Sequence, residues 1–326
     1  MLEREFISSC MKKVIDENGI TFEEAERLID IRDIVPLAQA ANEITISFKG
    51  LVIDVEALLN AKSGNCPEDC FFCAQSSFYE TGITKYGLLS SREVINKAKQ
   101  AERDGASSFC LVCAYRTPPE KEFSQICSII EALKKEVDLD INVSLGFMTL
   151  EKAKKLKSLG VKRYNHNLEA SKSFFSQICS THDFDNRIQT ARIVKESGLE
   201  LCCGGILGMG ESTHQRIELG FSIAELEPHE VPINILIPKE GTPLASMNSI
   251  TPEEAIKTIA VWRFIMPETI LKIAGGREVH FLDKGRLALT AGANGIISGG
   301  YLTTDGSEMS QDSLMIKEIG RQTGLH

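Results

Sequence analysis

A chain of 326 residues with 43% hydrophobic and 25% charged side chains can bury a large core and is ordinary in composition for a globular protein. Its formal net charge of −9 argues against a nucleic-acid partner, because a phosphate backbone is bound through clustered Lys and Arg; small molecules are the expected ligands. No segment approaches the roughly 20 apolar residues that span a bilayer, and the N-terminus lacks the pattern of a signal peptide. The expectation is a cytoplasmic protein whose ten cysteines are reduced, so that clustered cysteines suggest metal.

Residues 1–50 read as a helical segment, with Val14, Ile20, Phe22, Ala25, Leu28 and Ile29 spaced among charges and Thr21 as an N-cap. From 51 to 326 apolar, β-rich runs alternate with amphipathic helical stretches. The predicted strands are Val55–Ala61, Ser107–Val112, Ile141–Leu145, Arg163–Leu168, Leu199–Ile206, Val231–Ile237, Thr269–Ile273 and Gly295–Ser298. Helices are predicted between them at Ser91–Asp104, Phe123–Glu136, Leu150–Leu159, Arg187–Ser197, Thr213–Leu226 and Pro252–Ile265, several stopping at Gly. Eight βα units predict an α/β fold, a (β/α)8 TIM-type barrel with an N-terminal helical cap. Chemistry then belongs at the C-terminal ends of the strands.

Cys66, Cys70 and Cys73 follow the first predicted strand in a CX3CX2C spacing. Three thiolates suit a [4Fe–4S] cube with one iron left open, which can take an amine with an adjacent carboxylate, as in methionine. The competing reading is a structural zinc site or buried free thiols, but closed zinc sites use four ligands and no fourth Cys or His lies nearby in sequence.

Several longer segments are more specific than that spacing. They are Gly64–Cys70 with Ala74-Gln75-Ser76, Tyr164–Glu169, Gly204–Glu211, Val231–Asn234 with Gly241–Leu244, and Ala291–Asn294. On these the chain resembles the radical S-adenosylmethionine superfamily and, within it, the biotin synthases, over nearly all of residues 50–305. The resemblance implies a homodimeric barrel that inserts sulfur into dethiobiotin. A 5′-deoxyadenosyl radical from S-adenosylmethionine would abstract substrate hydrogen, and an electron donor such as flavodoxin or ferredoxin would feed the cluster. By motif position Cys66, Cys70 and Cys73 would hold the [4Fe–4S] cluster, and Arg187 would pair with the carboxylate of S-adenosylmethionine through its guanidinium fork. Glu169 stands where the pattern has Asp and would grip the ribose hydroxyls, while Gly208, in the Gly204–Gly210 run, would pass close to the adenosine. Asn165, Asn167 and Asn234 would hydrogen-bond the ureido ring, since amides both donate and accept. His166 is expected to make a structural hydrogen bond, and Cys10, Cys127 and Cys179 are read as structural.

The resemblance also implies an auxiliary [2Fe–2S] cluster held by three cysteines and an arginine, the source of the sulfur. Cys110 and Cys202 match two of those cysteines, but Asn142 and Lys272 stand at the other two positions and are poor ligands. Cys113 and Cys203 appear close by. A four-iron auxiliary cluster on Cys110, Cys113, Cys202 and Cys203 is therefore expected, with a buried free thiol as the alternative for Cys113 and Cys203. Residues one or three apart on a strand face opposite sides, so this set needs a bulge or strand end to converge.

Overall fold

The structure, a computed structural model, describes residues 2–16, 19–302 and 306–324. Its strands are β1 (Val52–Lys62), β2 (Ser108–Cys113), β3 (Asp140–Ser144), β4 (Arg163–Asn165), β5 (Glu200–Cys202), β6 (Gly205–Leu207), β7 (Glu230–Ile235), β8 (Ile270–Ile273), β9 (Gly295–Ser298) and β10 (Gln322–Thr323). All pairings between them are parallel, in the order β1-β2-β3-β4-β5-β7-β8-β9, and β9 pairs back onto β1 to close a barrel. β5 and β6 both pair with β7 and form two halves of one barrel strand, so the eight expected strands are recovered. That strand breaks at Cys203-Gly204. Pro232, opposite it in β7, has no N–H for the ladder, and a Cβ on Gly204 would stand 1.9 Å from the Pro232 carbonyl oxygen. Asn167 Oδ1 accepts the Gly204 N–H at 3.0 Å instead. β10 adds a short strand beside Val52 that the sequence pattern did not suggest.

The N-terminal segment forms three helices, Leu2–Ile15, Phe22–Ile29 and Ile34–Lys49. Thr21 caps the second in a reciprocal box: its hydroxyl accepts from Glu24 N–H at 3.2 Å, and Glu24 accepts from Thr21 N–H at 2.8 Å. Leu28, Leu37 and Ile44 are fully buried against Val261 and Phe264 of the helix Pro252–Ile265, whose other face, Ile256, Ile259 and Trp262, packs on the barrel. From Ala255 to Phe264 every residue of that helix except the half-buried Lys257 is buried, because both sides are covered. Among the described residues no helix is long and apolar enough to cross a membrane.

The lower lumen holds a buried ionic cluster. Lys272 Nζ of β8 contacts Asp54 at 2.8 Å, Glu56 at 3.0 Å and Glu230 at 2.8 Å, bridging β1 and β7 across the lumen. Asn142 Nδ2 donates to Glu56 at 2.6 Å, and Arg163 pairs with Glu230 and with Glu200, the latter at 3.0 Å. Burial alone would lower the Lys272 pKa, but Asp54, Glu230 and Glu56 outweigh it and hold the ammonium well above the ordinary lysine value. Replacing Lys272 with Met strands these carboxylates without a cation. It is expected to cost about 3–5 kcal/mol, read as a lower urea midpoint, and adding Glu56→Gln should recover part of the loss.

Candidate active site

A cavity of about 280 Å³ opens at the C-terminal ends of the strands and is lined by Cys66, Cys70 and Cys73 together with Cys110, Cys113, Asn165, Asn167, Glu169, Arg187 and Asn234. A larger one, about 770 Å³ at the opposite end of the barrel, has no cysteine in its lining. Nearly all the residues singled out in the sequence thus meet in one space. Cys202, Cys203 and Gly208 are the exceptions: all three lie outside that lining, and the Gly208 N–H is held by the Glu211 carboxylate at 2.8 Å.

The loop carrying Cys66, Cys70 and Cys73 is irregular, and Asn65, just before the first cysteine, has φ of 57°. A non-glycine residue in the left-handed region persists only where its surroundings fix it. Gln75 holds both neighbours of Asn65, accepting from the Gly64 and Cys66 N–H groups at 3.0 Å each, and the rest of the loop is fixed by residues 178–182, more than 100 positions away. Asp69 accepts from the N–H groups of Ser180 at 2.9 Å and Thr181 at 3.0 Å and from the Ser180 hydroxyl at 2.5 Å. Burial would raise the Asp69 pKa, but these donors reverse it and hold the carboxyl well below the usual range. Glu68 Oε2 faces His182 Nδ1 at 2.6 Å and Oε1 faces Arg116 Nη1 at 2.5 Å. Phe71 N–H donates to the Ile178 carbonyl at 2.9 Å. The two acidic residues between the cysteines therefore act as tethers.

The same turn brings Cys179 Sγ to 4.0 Å from Cys70 Sγ and 3.2 Å from His182 Nδ1. Cys179, read from the sequence as structural, thus packs against one of the cysteines of the cluster loop. Cys70, Cys179 and His182 are close enough to share one small ion, so the zinc reading gains two candidate ligands that sequence spacing could not reveal. With Nδ1 of His182 engaged by Glu68, the set stops short of the four ligands of a closed zinc site. Burial pushes the Cys73 thiol up to about 11, so in the metal-free site it is protonated at neutral pH.

Arg187, in the first turn of the helix Phe184–Glu196, is buried and not a solvated surface charge. Its Nη1 donates to the Asn167 carbonyl at 3.0 Å and lies 3.9 Å from Glu169, its Nη2 lies 3.9 Å from Cys70 Sγ, and its Nε is buried without a partner among the described residues. Glu169 is held at φ 69° by a bridge to Gly205, and burial raises its pKa despite Arg187. Asn165 donates to Cys110 Sγ at 3.4 Å, and its buried Oδ1 has no partner among the described residues. Asn234 Oδ1 accepts from Gly275 N–H at 3.0 Å, and its Nδ2 donates to the Gly205 carbonyl at 3.3 Å. Nε2 of His166 has no partner among the described residues, so the hydrogen bond expected there is absent; the ring packs against Phe147, with centroids 5.4 Å apart.

Cys110 and Cys202 differ from Cys113 and Cys203 in packing. Both lie outside the continuous hydrophobic core, and the Cys202 thiol donates to Glu230 at 3.3 Å. Cys113 and Cys203 are embedded in that core, where burial pushes each thiol up to about 12.

Residues 60–219 match the model of the Radical SAM superfamily, and residues 232–322 match that of the Biotin and Thiamin Synthesis associated domain. The chain is 49% identical over 97% of its length to the biotin synthase of Nitrosopumilus maritimus, covering 98% of that protein. It is 46% identical over 96% of its length to that of Cenarchaeum symbiosum, again covering 98%. The chain belongs to the biotin synthase family. It is a radical S-adenosylmethionine enzyme, and that membership carries the [4Fe–4S] cluster and S-adenosylmethionine with it. The fold is shared more widely: the crystal structure of methylornithine synthase superposes with a TM-score of 0.86 at 19% identity, covering 97% of each chain.

If Asp69 tethers the cysteine loop, Asp69→Asn should leave far-UV circular dichroism unchanged while lowering the iron and sulfide retained per chain after anaerobic reconstitution and gel filtration.

Proposed function

We propose that this chain inserts sulfur into dethiobiotin to form biotin, with the ureido ring bound by Asn165, Asn167 and Asn234 beside the cluster loop. The observation that carries the reading is a pair of buried, unsatisfied groups in one cavity: the Asn165 carbonyl oxygen and the Arg187 Nε–H. A buried polar group without a partner costs about 1–3 kcal/mol, so each marks a place where a ligand atom completes the site. A ureido N–H supplies the donor that Asn165 lacks, and a carboxylate supplies the acceptor that Arg187 lacks.

The three cysteines fit a [4Fe–4S] cluster, since all three face the cavity from one tethered loop. When bound, the cluster and S-adenosylmethionine supply the reductive cleavage that gives the 5′-deoxyadenosyl radical. The protein's part is to position and to exclude. Arg187 holds the amino-acid end of S-adenosylmethionine next to Cys70, and Glu169 offers two oxygens to the ribose. The asparagines present the substrate's target carbons to the same space. Gly208, whose N–H is engaged by Glu211, would pass its backbone close to the adenosine, as the lack of a Cβ allows.

Asn142 and Lys272 do not fit the usual [2Fe–2S] cluster. Lys272 is a charged ammonium shared by three carboxylates, and Asn142 is committed to Glu56. The sulfur donor is assigned instead to a four-iron auxiliary cluster on Cys110, Cys113, Cys202 and Cys203. Cys110 and Cys113 line the cavity, and the break in the barrel strand at Cys203-Gly204 is the element that would re-aim Cys203. The reading further includes a homodimer, a cytoplasmic location and a donor such as flavodoxin or ferredoxin.

Anaerobic incubation with dithionite, S-adenosylmethionine and dethiobiotin should yield 5′-deoxyadenosine and biotin by mass spectrometry. No 5′-deoxyadenosine excludes radical chemistry; 5′-deoxyadenosine with neither biotin nor a thiolated intermediate excludes this substrate. Asn165→Ala should weaken dethiobiotin binding roughly ten-fold in equilibrium dialysis. Reconstituted protein should hold about eight irons per chain, and about four would exclude the auxiliary four-iron cluster.

A further inference from the structure

One thiol at the cluster loop has no part in the chemistry proposed above. Cys179 Sγ lies 4.0 Å from Cys70 Sγ, and both residues are buried. Among the described residues Cys70, Cys179 and His182 gather within 4.8 Å of one another, whereas Cys66, Cys70 and Cys73 do not. Cys70 lines the active-site cavity and Cys179 does not, so a small molecule entering there meets the Cys70 sulfur first.

Hydrogen bonds on both sides clamp the pair. Phe71, which follows Cys70, donates its N–H to the carbonyl of Ile178, which precedes Cys179, at 2.9 Å. Asp69, which precedes Cys70, accepts from the N–H of Ser180, which follows Cys179, at 2.9 Å. The two segments thus run in opposite directions with Cys70 facing Cys179. A disulfide holds its sulfurs about 2 Å apart, so about 2 Å of closure by side-chain rotation joins them. The Cys179 thiol donates to Asp69 Oδ1 at 3.2 Å and stands 3.2 Å from His182 Nδ1; a serine hydroxyl would make the same donation, so these contacts do not account for sulfur at this position.

We propose that in the cluster-free chain this pair is a site of reversible oxidation, with Cys70 reacting first with a peroxide and Cys179 resolving the product as a disulfide. One oxygen of hydrogen peroxide goes to the Cys70 sulfur as a sulfenic acid, and the other leaves as water. The Cys179 sulfur then attacks that of Cys70, the S–O bond breaks, and the hydroxyl departs with the Cys179 proton as a second water. The two thiols lose two electrons and the peroxide gains them. The disulfide keeps Cys70 from sulfinic acid, which no thiol reverses, and withholds it from iron until a dithiol reduces it. A cysteine bound to iron has no thiol to oxidise, so the reaction belongs to the chain before cluster assembly or after cluster loss.

The test uses full-length protein freed of iron anaerobically with a chelator, treated with stoichiometric hydrogen peroxide, alkylated and digested without reductant. Mass spectrometry should find the Cys70 and Cys179 peptides joined, and dithiothreitol should separate them. Cys179→Ser, which keeps the donor to Asp69, should lose the joined peptide and carry Cys70 on to sulfinic acid. On reconstitution, oxidised wild type should regain its full iron content only after dithiothreitol, and oxidised Cys179→Ser should not regain it. Cys70 recovered from wild type as a free thiol, as sulfinic acid, or joined to Cys66 or Cys73 overturns the proposal. Neither dethiobiotin nor S-adenosylmethionine enters the experiment, so that outcome leaves the dethiobiotin reading intact.

Discussion

An ammonium group taken out of water must be surrounded by negative charge, and the barrel is organised around that requirement at Lys272. Its three carboxylate partners come from β1 and β7, so the cation joins strands that are not neighbours in the sheet and fills the lumen where small apolar side chains would leave a void. Arg163 and Asn142 extend the same network to β3 and β4. The ion pairs lie between two open spaces, the larger cavity at the opposite end and the upper one, where the cysteine loop, the asparagines and Arg187 meet.

The same network shapes the chemistry above it. Cys110 and Cys202 sit directly on its edge, where burial and the carboxylates of Glu56 and Glu230 hold their thiols well above the ordinary cysteine value. A thiolate there needs a strongly cationic partner, which iron provides. The cysteine loop is governed by the opposite arrangement. Its two carboxylates, Glu68 and Asp69, are saturated with donors from the 178–182 turn, so the loop is held by charge-assisted hydrogen bonds and the cysteines are left free of that task.

The strands were legible from pattern because parallel barrel strands are apolar runs bounded by turns, and each of the eight fell within a few residues of its predicted place. The fifth was read as a single run, Leu199–Ile206, and is split in the structure by Gly204 facing Pro232, a pairing invisible to any local pattern. The cavity lining was legible through motif resemblance, from Cys66 to Asn234. What escaped was Cys179. On the chain it is an isolated cysteine in a loop, and the contact with Cys70 joins positions separated by 109 residues.

The sequence by itself determined the barrel, the cluster loop and the family, because periodicity and closely spaced ligand motifs are local properties of the chain. It also marked Asn142 and Lys272 as unfit for the usual auxiliary cluster, because ligand chemistry belongs to the residue type. Only the tertiary structure decided what those two residues do instead and which side chains keep unsatisfied atoms in the cavity. Each of these depends on the distance between groups far apart in sequence, and pairing energy is set by that distance and by the exclusion of water.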